Sequence, residues 1–149
     1  NDEYYMEQAS LEAKKAASAG EVPVGAVAVV NDRIIASNHN RIERDCDASA
    51  HAEMLVLRDA CSRLNRWRLD DITIYVAVEP CPMCAMDMVL HRVKRVVFAA
   101  SEPRTGAAGS FVNLLRNPEL NHMVDITSGV YREQAAELIK DFFRTRRES

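Results

Sequence analysis

His51, Glu53, Cys81 and Cys84 are side chains whose types and spacing suit catalysis. They fall in two stretches, "HAE" (His51 to Glu53) and "EPCPMC" (Glu79 to Cys84), with strand-like sequence between them. Cys81 and Cys84 stand three apart, so in the first turn of a helix their sulfurs share one face and can grip one metal. Zinc favours tetrahedral nitrogen and sulfur ligands, and a catalytic zinc takes only three from the protein, leaving water the fourth place. His51 supplies the third ligand. Two thiolates and a neutral imidazole leave Zn2+ formally uncharged, so hydroxide makes the site negative, which two converging helix N-termini favour. The metal pulls the pKa of its water from about 15.7 towards about 7. Glu53 is two residues from His51, a spacing that does not put both on one helical face. It reads as an unligated carboxylate that takes the water's proton and passes it on, aided by a pKa raised on enclosure.

Each half of this pattern has a plainer reading. A lone C-x-x-C also serves thiol redox modules and structural zinc knuckles, and a histidine at a helix start is commonly a polar surface residue. A redox module has no use for His51 and Glu53, however, and a structural zinc needs a fourth protein ligand that the sequence does not offer. Cys46 and Cys61 match no ligand spacing and read as free thiols.

The elements that must position these groups follow from periodicity. Met6, Ala9, Ala13 and Ala16 recur at helical spacing over residues 3 to 19, with Gly20 as a stop. "PVGAVAVV", an Asn31-Asp32 turn and "RIIAS" make a hairpin. A polar loop from Asn38 to Ser49 leads into a helix from about Ala50 to Asn65, with Asp47 or Ser49 as its N-cap. "ITIYVAV" is a β-branched apolar run and predicts a buried central strand. Pro80 and Pro82 flank the start of a helix running to about His91, since proline is tolerated only in a first turn. "RVVFAA" is the next strand, "SEPRTGAAGS" a loop, "VDITSG" a short strand, and Tyr131 to Arg147 a final amphipathic helix. Strands alternating with helices predict an α/β sandwich around one mixed sheet, a single domain over residues 1 to 149.

With 48% hydrophobic and 28% charged residues, the composition excludes a disordered chain. No apolar run is long enough to cross a bilayer, and no charged-then-apolar leader is expected. Four cysteines, two of them as C-x-x-C, fit reduced thiols in a cytoplasmic setting better than a disulfide framework. The net charge of −3 does not advertise a nucleic-acid binder. Positive charge nevertheless gathers in "NRWR", "HRVKR" and "FFRTRR", either as solvated helix ends or as a basic stripe along a groove.

Joined in order, H-A-E and then P-C-x-x-C resemble the zinc-dependent nucleoside and base deaminases. The likeness extends to "EVPVGAV", "HN" (His39-Asn40), "WRL", "YVAVEPCPMCA", "RVVF", "TGAAGS", "NH" (Asn121-His122) and "FFRTRR", which are similar to the bacterial tRNA adenosine deaminases. That resemblance implies a cytidine deaminase-like three-layer α/β/α sandwich around a mixed five-stranded sheet. It implies one zinc per subunit on His51, Cys81 and Cys84, Glu53 as proton shuttle, and conversion of adenosine to inosine at the wobble position of a tRNA anticodon. Asn40, Ala52 and Val24 would meet the flipped base, and Arg104, Thr105, Phe143, Arg144 and Arg147 the anticodon stem-loop. Members are homodimers whose sites use both subunits, so the same is expected here. The alternative within the same chemistry is a deaminase of free nucleosides or bases, or of single-stranded DNA.

The chain departs from that pattern in three places. Ala48-Ser49 stand where proline and threonine are frequent, Met86-Asp87 where small residues are usual, and Glu102 and Arg104 where aspartate and lysine are common.

Overall fold

In a computed structural model, residues 1–148 are described, with side chains described through residue 146. Arg147, one of the expected RNA contacts, has its side chain outside the described residues. The elements in order are α1 (Asp2–Ser18), β1 (Gly25–Val30), β2 (Arg33–His39), α2 (Ile42–Asp45), α3 (Ala52–Leu64), β3 (Thr73–Val78), α4 (Pro82–Leu90), β4 (Arg95–Ala100), β5 (Asp125–Ser128) and α5 (Arg132–Glu148).

The strands form one five-stranded sheet in the order β2-β1-β3-β4-β5. β1 pairs antiparallel with both β2 and β3, while β3–β4 and β4–β5 are parallel, so the sheet is mixed as expected. Asn31 and Asp32 turn the β1–β2 hairpin with φ of 50° and 58°, the left-handed pair that a two-residue hairpin of matching twist requires. The "ITIYVAV" run is indeed central.

Side chains alternate across the sheet and divide the core in two. Ala26, Ala28, Ile74, Val76, Val96 and Phe98 point to the face covered by α3 and α4, where Val56, Leu57, Met88 and Val89 meet them. Val27, Val29, Tyr75, Val97 and Ala99 point to the opposite face, against Tyr5, Met6 and Ala9 of α1 and Ala135 of α5. The result is a three-layer sandwich, in which each large buried aliphatic contributes about 1.5–3 kcal/mol. α1 lies directly on the backbone of β1: a Cβ added at Gly25 would sit 2.3 Å from the Ala13 nitrogen and the Ala9 oxygen. Asp2, in the first turn of α1, is tied to the sheet by Arg95 (2.6 Å) and by the Tyr75 hydroxyl (2.7 Å).

Two local expectations are corrected. The stretch from Asn38 to Ser49 is not all loop, because the end of β2 and the short helix α2 occupy part of it. The buried Glu21 carboxylate accepts from the amides of Glu43 and Arg44 and so caps α2 from a distant segment, which local pattern does not reveal. The α3 N-cap is His51, not Asp47 or Ser49. Asp47 instead accepts from the amide and hydroxyl of Ser49, and the helix amide at Ala52 is satisfied by Asn40 from across the site (2.9 Å).

Candidate metal and active centre

Antiparallel β1–β2 and parallel β3–β4 bring Gly25, His39, Val78 and Ala100 to one end of the sheet. Ligands of open α/β sheets bind beyond the carboxyl ends of parallel strands, and the candidate residues gather there. His51 and Cys81 occupy the N-cap positions of α3 and α4, both in extended backbone conformation and neither capping its own helix. Their side chains turn to each other instead. Pro82 follows at the first helical position of α4, where its missing N–H costs nothing.

His51 Nδ1 lies 3.7 Å from Cys81 Sγ and 3.6 Å from Cys84 Sγ. The ligand atoms of His51, Cys81 and Cys84 all lie within 4.8 Å of one another, and no fourth residue joins the group among the described residues. A tetrahedral zinc with Zn–S of about 2.3 Å and Zn–N of about 2.0–2.1 Å requires sulfur–nitrogen separations of about 3.6 Å. The observed sulfur–nitrogen distances match that geometry. Of the three, Cys81 is poised as a thiolate: the thiol of Cys84 and the ring of His51 hold its sulfur well below the usual thiol range, at about 4. The Cys84 thiol is driven up by its bond to Cys81 and by burial. Hydrogen bonding to Cys81 raises His51.

Among the described residues, the buried polar side chains are Glu21, Asn40, Glu53 and Glu79. Glu21 and Asn40 cap the two helices named above. Glu79 accepts from the amides of Glu102, Ala108 and Ser110 and from the Ser110 hydroxyl. Glu53 is different. It sits at the second position of α3 beside Cys84, 3% exposed, and burial pushes its carboxyl up to about 7. A carboxyl at that value can both take and return a proton near neutral pH.

A cavity of about 270 Å³ opens over this cluster, lined in part by Val24, Asn40, His51, Glu53, Cys81 and Thr105, with Phe143 of α5 along its edge. Val24, Asn40, Thr105 and Phe143 all line this cavity. Ala52, expected to meet the base, is fully buried and is not among the residues lining the cavity, its N–H held by Asn40. Arg104 is exposed on the loop that carries Thr105, and Arg144 is exposed on α5, ion-paired to Asp141. Glu79, Val22, Ile42 and Ile139 also line the cavity and were not assigned a role from sequence. Glu79 had a signal, a carboxylate directly before P-C; the apolar walls had none beyond their positions at strand and helix ends.

A profile of the MafB19-like deaminases matches residues 1–147. The chain belongs to this deaminase family. Relatives within reach include the tRNA-specific adenosine deaminase of Bacillus subtilis, 50% identical over 143 residues, covering 96% of this chain and 89% of the relative. That of Aquifex aeolicus is 43% identical over 142 residues, covering 95% and 93%. Among solved structures, one of tRNA:A34 deaminases performing A-to-I editing at the wobble position of transfer RNA superposes with a TM-score of 0.87 and 39% identity. It covers 91% of this chain and 98% of that one, and the mixed-sheet sandwich is accordingly the cytidine deaminase-like fold of this deaminase family.

Proposed function

We propose that the chain hydrolyses adenosine to inosine and ammonia at the wobble position of a tRNA anticodon. The observation that carries this reading is the three-ligand cluster of His51, Cys81 and Cys84 with the buried, unligated Glu53 beside it at the floor of a base-sized cavity. Similarity to tRNA-specific adenosine deaminases over nearly the whole chain selects the substrate class.

One zinc per subunit would be held by His51, Cys81 and Cys84, supplying Lewis acidity and water ionised near neutral pH. Glu53 would carry two protons in turn: one from the attacking water to the purine ring nitrogen as the C–O bond forms, and a second from that same oxygen to the amine as its C–N bond breaks. Asn40 has its side-chain oxygen turned to the Ala52 amide, so its NH2 remains to donate to an acceptor on the purine edge. Val22, Val24 and Ile42 supply an apolar wall for the base, and Phe143 a ring at the rim. Extruding a base is cheapest from a loop, where little stacking opposes it, which suits an anticodon. Arg104, Thr105, Arg144 and Arg147 would meet the phosphates around it.

The whole of residues 1–149 would act as one catalytic domain in a cytoplasmic homodimer. Met83 and Leu90, seven apart on α4 and 36% and 57% exposed, support such a contact by placing apolar side chains along one helical face. No helix among the described residues is long and apolar enough to cross a membrane.

The deciding experiment incubates zinc-loaded protein with an anticodon stem-loop, its DNA copy and free adenosine, and measures inosine from each. Turnover confined to the stem-loop is expected. Equal turnover of free adenosine would replace the RNA reading with a nucleoside deaminase.

A further inference from the structure

We infer that Glu79 is a positioning residue that clasps the 101–110 loop to the metal-ligand segment and thereby fixes the wall of the substrate cavity; this rests on the RNA-deaminase reading above. Glu79 ends the run out of β3, two residues before Cys81, and is 4% exposed. One carboxylate oxygen accepts from the Glu102 amide (3.0 Å) and the Ser110 hydroxyl, the other from the amides of Ala108 (3.0 Å) and Ser110 (3.1 Å). The backbone reinforces the joint on both sides. The Glu79 amide donates to the Ala100 oxygen (2.8 Å), and the Ala107 amide donates to the Pro80 oxygen (2.8 Å).

The loop wraps the carboxylate so closely that a Cβ added at Gly106 would lie 2.4 Å from Glu79 Cδ. Residues 101–124 join the parallel strands β4 and β5 without a helix, so no regular element holds this long connection in place. Ala107 and Leu115 anchor it in the core, and charge-assisted bonds to one buried carboxylate tie its first half to the ligand segment. Glu102 and Thr105, both on the clasped segment, line the cavity. The distance between the ligand Cys81 and that wall is therefore set through Glu79. A loose wall must be ordered each time substrate binds, which raises KM while leaving the bound complex competent.

The test uses full-length, zinc-loaded protein carrying Glu79→Gln or Ser110→Ala. A glutamine NH2 placed at either oxygen position faces an N–H donor of the loop, whereas Ser110→Ala removes one bond and spares the fold. Three quantities are measured: zinc per chain, hydrogen exchange of the Glu102, Ala108 and Ser110 amides without RNA, and KM and kcat on the stem-loop. For Glu79→Gln the expected result is unchanged zinc, exchange faster by about tenfold, KM raised about tenfold and kcat within about threefold. Ser110→Ala should shift exchange and KM in the same direction by about threefold. Wild-type exchange and wild-type KM in both variants would overturn the clasp, as would zinc loss with an undisturbed loop. Faster loop exchange in a protein whose wild type leaves the stem-loop unedited would keep the clasp and remove the RNA reading alone.

Discussion

The side-chain oxygen of Asn40 accepts the Ala52 amide at 2.9 Å, so a residue at the end of β2 caps a helix that begins twelve positions later. The same side chain lines the cavity. Asn40→Ala should lower stability by about 1–2 kcal/mol through the lost cap and also weaken substrate binding. Asn40→Asp separates the two roles, since aspartate caps as well as asparagine but offers no donor to the purine. Its unfolding midpoint should stay near wild type while KM rises; a wild-type KM would remove Asn40 from substrate recognition.

Glu53→Gln should retain full zinc and the wild-type unfolding midpoint while kcat falls by about 10²–10⁴-fold, the usual worth of a positioned acid–base group. Metal analysis alongside single-turnover inosine formation reads both. Substantial residual deamination would assign the proton transfers elsewhere.

Chelation should abolish turnover and lower the thermal midpoint, because the ligands bridge the N-termini of α3 and α4 and bound metal stabilises only the folded chain. Cys81→Ser should reproduce the loss in metal content, and re-addition of zinc should restore wild type but not the variant.

Asp2 gives a pH-dependent test remote from the site. Its bond to Arg95 lowers its carboxyl pKa below the ordinary value of 3.8. The lowered group stabilises the fold above that ordinary value, and the contribution is lost as pH falls through the folded-state pKa. With the carboxylate a third exposed, its worth is discounted to about 1 kcal/mol. Denaturant midpoints of wild type and Asp2→Ala should therefore differ at pH 7 and converge as the carboxyl protonates at low pH. A constant difference from pH 7 to pH 2 would contradict the ion pair.

Arg144→Ala with Arg147→Ala should weaken stem-loop binding most at low salt and flatten its salt dependence. Arg146 is best left in place, because it donates to the Gly20 oxygen (2.6 Å) and stacks over Phe142, which ties α5 to the end of α1. Unchanged affinity would return this cluster to an ordinary solvated helix end.

Much of the fold could be read from period and punctuation. β3 and β4 announce themselves as β-branched apolar runs, and Pro82 marks the start of α4. The grouping of His51, Cys81 and Cys84 was equally legible, because metal chemistry restricts residue type and spacing together. The α3 cap was not, since Asp47 and Ser49 satisfy the local rule while the amide is held by Asn40, just past the end of β2. Glu21 and Glu79 escaped for the same reason: a carboxylate that binds backbone amides far away in sequence leaves no periodic trace. The basic stretches also divide only in three dimensions. Arg66 and Arg68 pair with Asp71 and Asp70, Arg95 with Asp2 and Arg144 with Asp141, and of these stretches the one on α5 borders the cavity, through Phe143.

Gly25 has a bearing on how such an enzyme can diversify. Because even one methyl group there would collide with the turn of α1 containing Ala9 and Ala13, the helix and hairpin behind the catalytic floor form an inflexible chassis. New preferences for one nucleobase or nucleic acid over another would then fall to the side chains set around that chassis, Val22, Val24 and Ile42 on one side and Thr105 and Phe143 on the other.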